Sequence, residues 1–397
     1  MSRRIAARRL FPLTSRNSCI DNGFVEIDDD GVVLRTGVCT DVRAEDEYYD
    51  GAVVPGFVNT HCHIELSHMQ GRMPKGTGMA EFIDIISEQR DDASVDEKKR
   101  CIKRWMDALW EQGVQAMGDI SNEDISFGIK ASHPMYTRTF LEVFGTEPED
   151  ADKIVAGVLE LNSRADALGI DAAPTPHACY TTSPELVTAC SREGLKSGFL
   201  SYHCEESDQE EEMLMCGSGP LWKTRKRQNM STPPVVPGRS ALEYFVERVS
   251  AGMETPVDGN ILLVHEVCMD EKGAKAAAAA FRHPYVALCP LSNLFIHDKL
   301  APVMQMRDWP VTLTVGTDSL TSNDTLCMVD ELYCLQSRFG LGLDELLGWA
   351  CTNGARFLGK GDVMGSIEPG KKPGLVFISG LDGEGRLTES SVSRRII

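Results

Sequence analysis

The sequence predicts an α/β protein: a (β/α)8 barrel of the TIM type, with a small β-sandwich built from both chain termini. Eight short apolar runs alternate with longer amphipathic segments through most of the chain. Parallel barrel strands show such continuous apolar runs because both of their faces are covered. The two ends of the chain lack this alternation and contain short β-like runs with turns instead.

The predicted barrel domain extends from residue 55 to residue 361. Amphipathic segments such as "KIVAGVLELNSRADALG" and "MDEKGAKAAAAAFRH" separate most of its apolar runs and predict helices. Strands that alternate with helices favour a parallel sheet with helical crossovers. The predicted strands are, in order, "AVVPGFVNTH", "GVQAMGDI", "MYTRTFLEVFG", "IDAAPTPHA", "GFLSYHCE", "NILLVHE", "YVALCP" and "VTLTVGTDS".

Residues 1–54 and 362–397 form the second predicted domain. The first segment carries turn signals at "DNG" and "DDDG", and the second reads "GSIEPGKKPGLVFISGLDGEG". Each segment is too short to build a core of its own. We therefore expect the two segments to pair as one β-sandwich.

Composition narrows the classes of partner. The 59 acidic and 40 basic residues give a formal net charge of −19 over 397 residues, which argues against a nucleic-acid-binding surface. No apolar stretch approaches the ~20 residues of a membrane helix, and the basic start "MSRRIAARRLFPL" lacks the apolar core of a signal peptide. The 13 scattered cysteines without a CxxC pair fit reduced thiols. We expect a cytoplasmic protein with a small-molecule substrate, which could form a homodimer.

Rare polar residues follow the predicted strands. Only nine histidines occur in the chain, yet several stand at strand ends, which share one mouth in a barrel. Histidines two residues apart in a strand point the same way, so His61 and His63 offer two adjacent imidazoles. With His203 and Asp318 they would bind one divalent ion and leave a position for water. The polar strand-end residues are His61, His63, His177, His203, His265 and Asp318.

A single histidine is more often a core or surface residue than a metal ligand. His68, His133, His283 and His297 are assigned to that ordinary class. The other histidines differ because several predicted strand ends bring them to the same place.

Glu206 lies three residues after His203 in "HCEESDQEEEM". This position could hold a carboxylate beside an activated water without making it a ligand, as a proton shuttle requires. The alternative is an acidic helix start, since carboxylates favour the first turn of a helix. We favour the catalytic role for Glu206 and the helix start for the acidic residues after it, and Glu205 fits either.

These motifs resemble the amidohydrolase superfamily, and within it the aminohydrolase branch, closest to the aminodeoxyfutalosine and S-adenosylhomocysteine deaminase-like group. The resemblance covers nearly the whole chain. It implies that Glu206 and His265 are the catalytic pair, that Asp318 also relays a proton, and that His177 contacts the substrate. The motifs are "PGFVNTHCHIELS", "TPHACYTTSPEL", "HCEES", "LLVHEV", "LCPLSNLFI", "GTDSLTSND" and "GSIEPGKKPGLVFI".

One departure from the superfamily pattern indicates a single metal ion. Binuclear relatives carry a carboxylated lysine at the end of the fourth strand, where this chain reads "APTPHACY". The resemblance then implies one divalent ion, zinc before iron or manganese, and hydrolytic release of ammonia from an adenine-type heterocycle. Alternatives are displacement of another leaving group such as chloride, opening of a cyclic amide, and a non-catalytic scaffold.

Substrate specificity is expected to come from residues around the barrel mouth. Glu65 could accept hydrogen bonds from a ring or sugar, or form an ordinary salt bridge. The segment 207–235 contains a helix, a glycine break and a basic stretch with Trp222. It could cover the mouth, with Lys223, Arg225 or Arg227 meeting an anionic group, or it could be a solvated helix.

Overall fold

The computed structural model describes residues 2–40, 47–233 and 238–397. Both chain ends contribute to one six-stranded sheet in the order β14-β13-β4-β1-β2-β3. Strand β13 pairs antiparallel with β4, so the two distant ends of the chain meet. The six strands are β1 (Arg3–Leu10), β2 (Ile20–Ile27), β3 (Val33–Val38), β4 (Glu47–Pro55), β13 (Leu375–Ser379) and β14 (Val392–Arg395).

Eight further strands form two four-stranded parallel sheets, in the orders β5-β6-β7-β8 and β12-β11-β10-β9. Each of the eight predicted runs overlaps one of them. They are β5 (Phe57–Cys62), β6 (Val114–Ser121), β7 (Tyr136–Val143), β8 (Asp171–Pro176), β9 (Phe199–Cys204), β10 (Val257–His265), β11 (Phe281–Leu288) and β12 (Thr312–Val315).

Backbone hydrogen bonds link the two parallel sheets at both of their edges. His203 N donates to His177 O over 3.0 Å where β9 meets β8, and Thr317 N donates to His61 O over 3.0 Å where β12 meets β5. Both bonds lie at the carboxyl ends of the strands. Residues that follow these strands are therefore brought to one place.

Helices connect the strands. Ser207 caps α6 by accepting a hydrogen bond from Glu210 N, and Ser240 with Glu243 forms a capping box on α8. The helices are α1 (Gly78–Gln89), α2 (Val95–Glu111), α3 (Phe127–Ser132), α4 (Ala151–Ala167), α5 (Pro184–Gly194), α6 (Asp208–Cys216), α7 (Gly219–Arg227), α8 (Ala241–Ser250), α9 (Glu271–Ala280), α10 (Pro290–His297), α11 (Val303–Met306), α12 (Met328–Phe339), α13 (Leu343–Leu347) and α14 (Gly354–Phe357), with 3-10 turns at Ile64–Met69, Pro148–Asp150 and Leu195–Ser197 and a π-helical turn at Gly348–Asn353.

Two local predictions differ from the structure. The turn expected at "DNG" is wrong, because Asp21 to Gly23 lie inside β2; the "DDDG" turn is present, with Gly31 N bonded to Asp28 O. The run "AVVPGFVNTH" splits at Gly56 into β4 and β5, since Gly56 N bonds to Pro373 O at the border of the terminal sheet.

Apolar clusters match this division of the chain. One cluster joins strands of both parallel sheets through Val58, Phe140 and Leu262. A separate cluster, which includes Ile5, Val25 and Leu375, lies on the terminal sheet.

Parts of two predicted segments lie outside the described residues. In the predicted end domain these are residues 1 and 41–46, and in the predicted 207–235 segment they are residues 234–235. No helix in the described part of the chain is long and apolar enough to cross a membrane.

Candidate active site

His61 and His63 lie together where β5 ends. His61 is the penultimate residue of the strand, and His63 precedes the 3-10 turn that follows it. Their Nε2 atoms are 3.1 Å apart. Burial lowers the pKa of His63 to about 3, so its imidazole is neutral and its ring can offer a lone pair.

His203 and Asp318 complete this group of side chains. The Nε2 atom of His203 lies 3.2 Å from that of His63. The Oδ1 atom of Asp318 lies 3.4 Å from the Nε2 atoms of both His61 and His63. The other oxygen of Asp318, Oδ2, accepts hydrogen bonds of 2.6 Å from Ser292 and Ser322, which leaves Oδ1 directed at the imidazoles.

These four side chains lie close enough to share one metal ion. Zinc–ligand bonds of about 2.0–2.1 Å place neighbouring ligand atoms roughly 3 Å or slightly more apart, and four of the six distances among these ligand atoms are 3.1 to 3.4 Å. Imidazole nitrogens so close to one another and to a carboxylate are what a shared divalent cation requires. The group is His61, His63, His203 and Asp318.

The backbone around this group adopts conformations that side chains other than glycine rarely take. Glu205, His265, Glu266 and Asp318 have φ angles of 49°, 78°, 50° and 55°. Such left-handed residues concentrate at functional sites, where the surrounding fold holds them in place. They lie at or just after the ends of β9, β10 and β12, so three strands turn sharply at the same place.

Glu206 lies beside the metal group without belonging to it. Its Oε2 atom accepts a 3.0 Å hydrogen bond from the Tyr180 hydroxyl, and its Oε1 atom is 3.5 Å from His265 Nε2. Burial, together with the charges of Asp318 and Glu210, raises the pKa of Glu206 well above its usual value. A raised pKa suits a carboxyl group that takes up and returns a proton during a reaction.

His265 is held from its other side. The ring Nδ1 lies 3.0 Å from the side-chain amide of Asn293. Burial lowers the pKa of His265 to about 3, so it is a neutral hydrogen-bonding group. One ligand atom each of His61, His203, His265 and Asp318 lie within 4.8 Å of one another, which also makes His265 a possible ligand.

A cavity of about 440 Å³ opens over these residues. His63, His177, His203, Glu206, His265 and Asp318 all line it, together with Tyr180 and Glu142. An apolar part of the lining comes largely from α1, with Leu221 from α7. This apolar wall includes Leu66, Met79, Phe82, Ile83, Ile86 and Leu221.

Of the three predicted substrate-contacting residues, only His177 lines this cavity. His177 Nδ1 lies 2.6 Å from Thr181 Oγ1. Glu65 is buried, and its two oxygens accept hydrogen bonds from Asn122 N and Ser126 Oγ. Trp222 lies beneath the Lys226 ammonium at 5.5 Å; the described residues of its helix that line the cavity are Leu221, Thr224, Arg225 and Gln228.

The basic stretch of α7 is more than a solvated helix. Helix α6, a left-handed Gly217 and α7 follow one another as the sequence predicts. The Arg225 side chain, however, is buried and donates to four backbone carbonyls, those of Cys179, Tyr180, Thr182 and Ser231. Arg227 pairs with Asp84. Arg225 therefore ties α7 to the loop that carries Tyr180.

Among the polar residues of the cavity, Tyr180, Asn122 and Glu142 were not predicted from the sequence. These residues lie inside or just after predicted strands, and Glu142 interrupts the apolar run "TFLEV". A buried glutamate in such a run was the available signal. Burial raises the pKa of Glu142 to about 8, against the hydrogen bond from Asn122.

Comparison with known proteins gives one family and several relatives. Residues 52–396 match the model of the family described as Amidohydrolase family. A protein of a Nitratiruptor species named aminodeoxyfutalosine deaminase is 27% identical over 286 residues, which is 70% of this chain and 66%, just under two thirds, of the relative.

Two solved structures share the fold. The aminofutalosine deaminase of Helicobacter pylori in complex with methylthio-coformycin superposes with a TM-score of 0.80 at 21% identity, covering 97% of this chain and 93% of the other. An adenosine deaminase from Xanthomonas campestris with bound zinc gives a TM-score of 0.70 at 20% identity, covering 94% and 84%.

Proposed function

Because this chain belongs to the amidohydrolase family, we propose that it is a metal-dependent hydrolase that releases ammonia from an adenine-type heterocycle. One observation carries the proposal. Three imidazole nitrogens and one carboxylate oxygen lie together, with four of their six mutual distances at 3.1 to 3.4 Å, and the carboxyl group of Glu206 lies at the same cavity. The three relatives described above are deaminases by name, which supports ammonia as the leaving group.

His61, His63, His203 and Asp318 would hold one divalent ion. Zinc suits three neutral imidazoles and one carboxylate, and iron or manganese would also fit these ligands. The bound ion would supply Lewis-acid activation of water at neutral pH.

Glu206 would act as the proton carrier. Its carboxylate accepts a proton from the attacking water and delivers it to a ring nitrogen, and Tyr180 holds Oε2 while Oε1 faces His265. His265 donates a hydrogen bond to the oxygen that adds to the ring carbon. Asp318 relays a proton to the departing ammonia, and its bonds from Ser292 and Ser322 keep it in place.

The cavity favours a nucleoside-sized substrate. Its volume of about 440 Å³ lies within the 300–1,000 Å³ typical of small-molecule sites. His177 faces the metal side, and the apolar wall of α1 and α7 could pack on a ring or an alkyl substituent. Glu65 would act indirectly, through Asn122 and Ser126, and Trp222 by supporting α7.

We further propose the domain arrangement of the family. Residues 55–361 would form a closed (β/α)8 barrel, which is supported by the hydrogen bonds at both sheet edges. Residues 1–54 and 362–397 would form the β-sandwich domain, which is supported by the separate apolar cluster on the terminal sheet. A cytoplasmic location and a homodimer remain predictions.

The decisive experiment is a screen for ammonia release with metal analysis of the same preparation. Adenine, adenosine, nucleoside thioethers and futalosine-like compounds would be compared with cyclic amides and chlorinated heterocycles. We expect one equivalent of divalent metal and ammonia release from an adenine-type compound. Chloride release or amide opening without ammonia would overturn the proposal.

The variant Glu206→Gln tests the proposed proton carrier. It should keep the metal and lose about 10²–10⁴-fold in kcat, the usual contribution of a positioned acid–base group. A rate near that of the unsubstituted protein would remove Glu206 from the mechanism.

A further inference from the structure

Glu142 lies on the far side of the His203 ring from the proposed metal ion. Its Oε1 atom is 3.4 Å from His203 Nδ1, whereas His203 Nε2 points the other way, to His63 Nε2 at 3.2 Å. The Glu142 side chain is only 2% exposed. Its Oε1 atom has no hydrogen-bond partner among the described residues. A buried carboxyl oxygen therefore lies next to one ring nitrogen.

The rest of the Glu142 carboxylate is held by Asn122. The amide of Asn122 donates both to Glu142 Oε2 at 3.2 Å and to Glu142 O at 3.0 Å. Asn122 is itself fixed, because its N–H donates to Glu65 and its Oδ1 accepts from Arg90. Glu142 Oε1 is thus presented to His203 by a connected set of hydrogen bonds.

We infer that Glu142 is a positioning residue, which selects the tautomer of His203 that can bind the metal ion. A neutral imidazole carries one N–H, and the partner of one nitrogen decides which nitrogen keeps the lone pair. With Glu142 Oε1 as the acceptor, Nδ1 carries the proton and the lone pair stays on Nε2. The inference rests on the proposed metal site, since it assigns a role toward the same ion.

Two other histidines of the site have no carboxyl partner at Nδ1 among the residues that the structure describes. His61 Nδ1 is buried without a hydrogen bond in the described part of the chain, and His265 Nδ1 meets the Asn293 amide. Glu142 therefore acts on His203 specifically. Glu142, His177 and His203 also lie within 4.8 Å of one another and could hold a second ion, so the test must count metal ions.

Two substitutions distinguish tautomer selection from simple packing. In Glu142→Gln, the Asn122 side-chain amide would donate its hydrogen bond to the carbonyl oxygen of the new glutamine. The NH₂ group of that glutamine would then face His203 Nδ1. That donor favours the tautomer with the proton on Nε2, which cannot bind the metal. Glu142→Ala removes the acceptor without adding a donor. We expect zinc affinity to fall in the order unsubstituted protein, Glu142→Ala, Glu142→Gln.

Zinc affinity would be measured by competition with a chelator, and stoichiometry by elemental analysis. The expected loss for Glu142→Gln is about 10–100-fold, the usual effect of removing a partner of a ligating histidine. Glu211→Gln is the matched control, because it replaces another buried carboxyl group that contacts Ala241 N and no proposed ligand. Its zinc affinity should stay within about threefold of the unsubstituted protein.

Four results would overturn the inference. Glu142→Gln could bind zinc as tightly as the unsubstituted protein, or the alanine variant could bind less tightly than the glutamine variant, as a packing role predicts. Two zinc equivalents that fall to one in Glu142→Gln would identify a second ion site instead. An unsubstituted protein that binds no metal would remove the proposed function itself.

If Glu142→Gln fails to fold, Glu142→Asp tests the same inference. It keeps the charge and shortens the side chain, so it should bind zinc more tightly than the alanine variant. Equal affinities for aspartate and alanine would count against Glu142.

Discussion

The Tyr180 hydroxyl donates a 3.0 Å hydrogen bond to Oε2 of Glu206, so the proposed proton carrier is oriented by a residue of a different strand loop. Both side chains are buried. The orientation of this carboxylate is thereby coupled to the β8–α5 loop, which Arg225 ties to α7.

Tyr180→Phe should lower kcat about tenfold and change KM less, because a hydrogen bond to a charged group contributes about 1.5–3 kcal/mol and its loss frees the Glu206 carboxylate to turn. Steady-state kinetics on the best substrate of the ammonia screen measures both constants. An unchanged kcat would mean that Tyr180 does not orient Glu206 during turnover.

Removal of metal should lower the melting temperature by several degrees. Binding to the folded state alone adds about 2.7 kcal/mol at a free metal concentration 100 times Kd, and the converging imidazoles exist only in the folded protein. Thermal unfolding with chelator and with added zinc measures the difference. Asp318→Ala should abolish the shift, whereas Asp324→Ala, at an exposed carboxylate paired with Lys75, should keep it.

Glu211 should make the protein less stable as pH rises. Burial raises the pKa of Glu211 in the folded protein to about 9 from an ordinary 4.5. Between pH 4.5 and about 9, Glu211 therefore keeps a proton in the folded state that it has lost in the unfolded state. Its contribution to stability is complete below pH 4.5 and is lost as the pH rises through about 9. In zinc-loaded protein, urea unfolding between pH 5 and 9 should show a smaller decline for Glu211→Gln.

The control for this pH series is Glu160→Gln, at an exposed position on α4. Its stability should follow the unsubstituted protein at every pH. Parallel curves for Glu211→Gln and the unsubstituted protein would contradict the prediction.

Arg225→Met should destabilise the protein by about 3 kcal/mol, the cost usual for breaking a buried hydrogen-bonded charge. Its guanidinium donates to the carbonyls of Cys179, Tyr180, Thr182 and Ser231, all of which would be left without that donor. Equilibrium unfolding measures the change. Arg227→Met loses only a partly exposed pair with Asp84 and should lower the free energy of unfolding by less than about 1 kcal/mol. Equal losses of stability in the two variants would contradict the prediction for Arg225.

The proposed metal ligands could be predicted from the sequence because they occupy positions that the fold makes equivalent. His61, His203 and Asp318 each stand at or just after the end of an apolar run, and such ends meet in one mouth. Trp222 shows the limit of this reasoning. On a helix, one residue turns the side chain by about 100°, so Leu221 lines the cavity and Trp222 does not.

Arg225 and Glu142 required the tertiary structure for a different reason. A basic run, or a single glutamate in an apolar run, can occur in many different environments. Arg225 is 45 residues from its partner Tyr180 in the sequence, and Glu142 is 61 residues from His203. Local spacing contains no information about such contacts.

The sequence by itself determined the order of strands and helices, the family, and the residues that reach the carboxyl ends of the strands, because periodicity and strand ends are local properties. Only the tertiary structure decided which oxygen of Asp318 is free, which nitrogen of His203 faces Glu142, and which side chains of α7 reach the cavity. These depend on distances of a few ångströms between segments far apart in the chain, and packing alone sets those distances.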